Sequence, residues 1–99
     1  MDDTLTGHEL LDREGAAVGK VTDVIADPAT LEAEWAVVKM GRFGGEHLVP
    51  LDVIEEKGEL LVLPFTKDAV KDTPSVKDHT PPTRHDADEL HRHYEAVAG

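Results

Sequence analysis

The sequence predicts an all-β domain, a small antiparallel barrel or sandwich, with one α-helix at its C-terminal end. Three observations predict it. Short runs rich in β-branched residues recur between turn formers: Val21-Thr22-Asp23-Val24-Ile25, Trp35-Ala36-Val37-Val38 and His47-Leu48-Val49. Lys57-Gly58 separates two further apolar runs, as in a hairpin. After Phe65 the chain turns charged, then proline-containing, then helical in its periodicity.

Residues 5–11 hold Gly7 and the pair Leu10-Leu11 and read as a brief first strand. Asp12-Arg13-Glu14-Gly15, with Asp first and Gly fourth, suits a type I turn. The second strand, 18–26, ends at Asp27-Pro28, because proline has no N–H for a ladder. The third covers 34–40. Gly41-Arg42-Phe43-Gly44-Gly45 connects it flexibly to a fourth over 46–49, which Pro50 stops. Residues 53–56 and 59–65 complete the set as a hairpin. Strands at this spacing, with no helix between them, indicate a barrel or sandwich rather than β/α units.

Residues 66–72 form one or two helical turns, with Thr66 as N-cap and Asp68 near the positive end of the dipole. Pro74 stops them. Residues 74–85, with Pro81-Pro82, form a stiff, extended linker. Residues 86–98 form the last helix. Asp86 and Glu89 resemble a capping box, and Leu90, Tyr94 and Val97 fall at i, i+4 and i+7 as a narrow apolar stripe. The organisation is a β domain over 1–73, a linker over 74–85 and a helix over 86–98.

Strand side chains alternate faces. In the third strand Trp35 and Val37 point one way, and Ala36, Val38 and Met40 the other. In the sixth, Leu61, Leu63 and Phe65 oppose Leu60 and Val62. Both faces of both strands are apolar, whereas a one-sided sheet shows polar residues outside. Something therefore covers the outside: the C-terminal helix, a second copy of the chain, or another protein.

Composition narrows the function. A chain of 99 residues is one domain with a modest core. It has no cysteine, so disulfides, thiolate catalysis and thiolate metal sites are excluded. Its net charge is -11, from 21 acids and 10 bases. Such a surface repels phosphate backbones and anionic membranes, and its Lys and Arg are scattered singly, so neither is an expected partner. The acidic start Met1-Asp2-Asp3-Thr4 lacks an apolar stretch and no run reaches membrane-spanning length, which predicts a soluble, cytoplasmic protein. Asn and Gln are absent, a composition shared with chains that work in hot or salty conditions.

The sequence resembles the PRC-barrel family. The match runs through Gly19-Lys20-Val21 with Asp23-Val24, Trp35-Ala36-Val37-Val38, Gly41 with Phe43-Gly44, and Leu48-Val49-Pro50-Leu51. It continues through Leu63-Pro64-Phe65-Thr66-Lys67-Asp68 to Val70-Lys71-Asp72 and Pro74. The final helix is similar to the tail of short stand-alone bacterial and archaeal members. One departure is Ala29-Thr30-Leu31-Glu32-Ala33, where the family has a glycine-containing turn. The resemblance implies a small, partly open β-barrel and a role in assembly or docking, as in the photosynthetic reaction-centre H subunit and ribosome maturation factors. It implies neither photosynthesis nor ribosome binding, because the membrane helix of the one and the companion domain of the other are missing.

The residues that carry chemistry elsewhere show no reactive pattern here. His91 and His93 project about 200° apart on a helix and cannot chelate together. His91 with Glu95 or Asp88 gives two ligands at best, and His47 has no partner in sequence. The expectation is no metal and no cofactor. Asp23, Asp27, Asp52, Glu55 and Glu56 lack the spacing of a positioned acid–base pair. Ser75, beside a proline, is no nucleophile, and Gly41, Gly44 and Gly45 precede a strand where a phosphate loop precedes a helix.

The expected function is a non-enzymatic interaction or assembly module that self-associates as a homodimer or docks on a partner protein. The candidate interface is Trp35, Val37, Leu61, Leu63, Phe65, Leu90 and Tyr94. Trp35 has two readings, a core residue or the anchor of the contact. Two other functions compete. A small-ligand-binding or enzymatic barrel requires convergent polar groups in a pocket. An RNA-processing or ribosome-associated factor requires a basic patch.

Overall fold

A computed structural model of the chain describes residues 5–41 and 45–98. The acidic start 1–4, Arg42-Phe43-Gly44 of the glycine connection, and Gly99 lie outside the described residues. Six strands form: β1 (Glu9–Leu11), β2 (Ala17–Ala26), β3 (Ala33–Lys39), β4 (Glu46–Pro50), β5 (Glu55–Lys57) and β6 (Leu60–Val62). Two helices follow, α1 (Lys67–Lys71) and α2 (Arg84–Ala98). The strands pair in the order β4-β3-β2-β1-β6-β5, and β4 and β5 are the edge strands of an open sheet.

Several boundaries move for local reasons. The first strand begins at Glu9, not at residue 5, because Gly7 turns the chain at φ 90. The stretch expected to start a strand at 53 is a 3-10 turn, Leu51–Val53, launched by Pro50 and closed by Ile54 N–H on Leu51 O. Regular pairing in β6 ends at Val62, before Pro64, although Leu63 N–H still bonds Leu11 O at 2.8 Å. Gly58, at φ 66, takes the first central place of the β5–β6 turn, the place a type II′ hairpin gives to glycine.

One pairing departs from the expected antiparallel sheet. β1 pairs β2 antiparallel but β6 in parallel, with Leu10 beside Leu61 and Leu11 beside Val62. The chain after β5 must return along β1 in β1's own direction, so the sheet is mixed. At Gly19, between β1 and β3, an added Cβ would overlap the Lys39 carbonyl oxygen, so only glycine fits.

The departure at 29–33 has a backbone cost. Leu31 stands at φ 63, in the left-handed region, with its side chain 80% exposed. Leu31 N–H bonds Asp27 O at 2.7 Å and Asp27 N–H bonds Glu32 O at 2.9 Å, so the turn is fixed despite the missing glycine.

Two buried clusters lie on opposite faces of β3. The inner one holds Leu10, Val21, Ala36, Val38, Val49, Leu61, Leu63, Phe65, Val70 and Tyr94. The outer one holds Ile25, Trp35, Val37 and Leu48, under Val76, Ala87 and Leu90. This is the two-sided apolarity of the third strand, met on the outside by the chain's own C-terminal segment.

The helices begin where long-range partners allow. Thr66 is the N-cap of α1 by position, but its side chain makes no cap bond; Asp12 Oδ2 accepts Lys67 N–H instead at 3.1 Å. Asp12 Oδ1 also accepts Glu14 and Ala16 N–H, each at 2.9 Å. Burial works to raise the Asp12 carboxyl, but the Ala16, Lys67 and Glu14 donors hold it below the usual carboxylate range. The last helix starts two residues earlier than expected. Its cap is Thr83, whose Oγ1 accepts Asp86 N–H at 3.1 Å, so Asp86 stands at the third helical position rather than at the cap.

Candidate functional site

The two halves of the sheet's outer face differ, and both surfaces concern function. The half built on β2, β3 and β4 is covered. Trp35 is 2% exposed, and its ring lies 4.8 Å from that of His91 on α2. Tyr94 crosses the end of the sheet beyond β4: its ring stacks on Phe65 at 5.0 Å and its hydroxyl donates to Leu48 O at 2.7 Å. Burial pushes the Tyr94 phenol up to about 12, so it stays a donor. α2 thus seals an edge strand that would otherwise present bare backbone groups.

The segment before α2, residues 74–83, acts as a strap. Val76 N–H bonds Glu46 O at 2.7 Å and places the strap beside β4. Farther on, His79 sits between two carboxylates: Nδ1–H donates to Asp23 Oδ2 at 2.8 Å and Nε2–H to Glu46 Oε1 at 3.1 Å. A carboxylate only accepts, so both bonds form together only while the ring carries both protons, as an imidazolium. The bonds to Glu46 and then Asp23 raise His79 above its ordinary value. Val24 N–H and His79 lower Asp23; His79 and the Thr22 hydroxyl lower Glu46. Thr22 Oγ1 reaches Glu46 Oε2 at 2.8 Å. The clasp joins β2, β4 and the strap.

His47 and His93 are structural in a different way. His47, 7% exposed, donates from Nδ1 to Thr73 Oγ1 at 3.0 Å, and Thr73 donates to Val70 O at 2.7 Å. Burial lowers His47, which therefore stays neutral. His93 Nε2–H donates to Ala69 O at 2.7 Å while His91 lies on Trp35, so the two histidines serve opposite contacts.

Among the described residues, the other half of the outer face, on β1, β6 and β5, has no such cover. Leu60 is 50% exposed, and Leu11 and Val62 beside it are half-buried. The register places Glu9 opposite Lys20 and aligns Val62 with Glu55 and Leu60 with Lys57. The apolar strip is therefore bordered by charges of both signs.

The seven residues of the expected interface do not form one surface. Trp35 and Val37 lie on the outer face under Leu90. Leu61, Leu63, Phe65 and Tyr94 lie in the inner cluster. All but the half-buried Leu90 are buried within the single chain. The sequence reading missed Leu11 as an outward-facing residue, because the parallel β1–β6 register alone reveals it, and it missed His79, whose partners lie 33 and 56 positions away.

Among the described residues, no helix is long and apolar enough to cross a membrane. No curated protein matches the chain. A family model for the PRC-barrel domain matches residues 2–70, which take in all six strands and nearly all of α1 but leave out the strap and α2. The sheet is thus the part of the molecule that matches the family, and the chain belongs to the PRC-barrel domain family.

Proposed function

We propose that this chain is a non-enzymatic interaction module that self-associates through the outer face of β1 and β6. The observation that carries the reading is the uncovered strip of Leu11, Leu60 and Val62, left open on a sheet whose other half is sealed. Its border is balanced, Glu9 and Glu55 against Lys20 and Lys57, so a second copy meets little repulsion there despite a net charge of -11 per chain. The interior supports the same reading, because Leu10, Leu61, Leu63, Phe65 and Tyr94 fill the inner face, leaving their polar neighbours in structural bonds.

Light scattering at micromolar protein tests it. The wild type is expected as a dimer whose association strengthens with salt as the long-range repulsion is screened. Leu60→Asp, at the centre of the strip, is expected to give a monomer. A wild type that stays monomeric at low and high salt would sink self-association.

A further inference from the structure

The strap and α2 enclose a groove of about 570 Å3 against β4. Its floor is apolar, with half-buried Val76 of the strap and Leu90 of the helix over the buried Leu48 of the strand. Its rim is acidic: Asp72 and Asp78 on one side, Asp86 and Glu89 on the other, against Lys77 alone. Four acids to one base is a stronger bias than the 21 to 10 of the whole chain. It also contrasts with the balanced border of the β1–β6 strip. A second copy of this acidic chain is a poor occupant for such a groove, and so is a nucleic acid.

We propose that this groove docks a basic, extended segment of a partner protein, with one apolar side chain on Val76 and Leu90 and flanking Lys or Arg side chains against the four carboxylates. The proposal rests on the interaction-module reading but uses a different surface from self-association. Several features preorganise the site, which lowers the entropy lost on docking. Pro81 and Pro82 stiffen one wall. Val76 and the His79 clasp hold that wall to β4 and β2. Thr83 caps the helix that makes the other wall. Exposed carboxylates around an apolar floor give selectivity for cationic, amphipathic sequence over charge alone.

The test measures fluorescence anisotropy of a short labelled peptide of alternating lysine and leucine on the full-length chain. One variant, Asp78→Asn with Asp86→Asn and Glu89→Gln, removes rim charge. A second, Asp52→Asn with Glu56→Gln and Glu59→Gln, removes the same charge from around the β5–β6 hairpin. All six positions are exposed, so both variants keep the fold. The rim variant is expected to lose binding about tenfold and the hairpin variant less than about threefold. A peptide with serine in place of leucine is expected to bind about tenfold more weakly. Equal loss in the two variants, equal binding of the two peptides, or no binding by the wild type each overturns the proposal. Light scattering of the same samples reads self-association separately, so a dimer that ignores the peptide overturns the groove and leaves the module reading standing.

Discussion

On β2, β3 and β4 the outer face is buried under α2 and the strap, while on β1, β6 and β5 it meets solvent. The two halves belong to one sheet and carry similar apolar side chains, yet Trp35 is 2% exposed and Leu60 is 50% exposed. The difference lies in the cover, not in the strands. The part that matches the family supplies the sheet, and the segment that follows it decides which half is stable core and which is free surface. Apolar residues on a strand therefore indicate burial by something; their position relative to the end of the chain's own cover indicates by what.

The largest expected effect that can break this comparison is on the covered side. Trp35→Ala should cost about 3–5 kcal/mol of folding stability, as for a large aromatic removed from a packed site. Denaturant unfolding should give the same loss at low and high protein concentration. A loss that depends on concentration would place Trp35 in a contact between copies. Next in size is Tyr94→Phe, which leaves the Phe65 stack but removes the donor from Leu48 O. About 1–2 kcal/mol should be lost. A neutral result would mean that α2 covers the sheet without being fastened to β4.

The third effect is pH dependence of the strap. His79 is raised in the folded state, so its contribution is fully present below its ordinary value of 6.5 and is lost as pH rises through the folded value. Asp23 and Glu46 are lowered, so theirs is present above their ordinary values of 3.8 and 4.5 and lost as pH falls through the folded ones. The clasp is thus strongest between about pH 5 and 6.5. The stability difference between wild type and His79→Ala should shrink steadily from pH 6 to 9, and its full size should stay within about 1 kcal/mol because the groups are partly exposed. His47 runs the other way: its lowered value means that its contribution exists above 6.5 and fades in acid. A difference that grows with alkalinity would show that His79 is not clasped.

The smallest effect is on the open side. Leu60→Asp should change the stability of the isolated monomer by no more than about 0.5 kcal/mol, since it removes little buried area. Against the loss at Trp35, that near-zero value is the sharpest statement that one half is core and the other surface. A cost above about 2 kcal/mol would mean that Leu60 is covered as Trp35 is.

Much of this was legible in the sequence. The β-branched runs place β2, β3 and β4 to within a residue or so, because Pro28, Gly41 and Pro50 break the chain beside them. The double apolarity of 34–40 required an outer cover, and the Leu90-Tyr94 stripe was among the candidates that could supply it. What was not legible depends on distant partners. Asp12 reads as a turn residue, and nothing local says that it also caps a helix 55 positions later. The parallel β1–β6 pair needs the path of the whole chain. Leu31 carries no sign that it will take a glycine's backbone angle. Alternation divides each strand's side chains between two faces, but that Leu61 and Trp35 lie on opposite faces of the sheet was set by register, which sequence does not give.

The parallel β1–β6 contact has a consequence for how the molecule folds. The β2–β3–β4 meander closes through short loops, so it can form early from neighbouring residues. Leu10 and Leu61 lie about fifty positions apart, and β1 joins β6 only after that long loop has closed, a late and entropically costly step. Until then the inner core has one wall, and Phe65 has not yet been brought beside β1 through the Arg13 N–H bond to its carbonyl. The β1–β6 seam is thus the last to set, and a chain beginning after residue 11 would be left with a meander and a hairpin and no strand to join them.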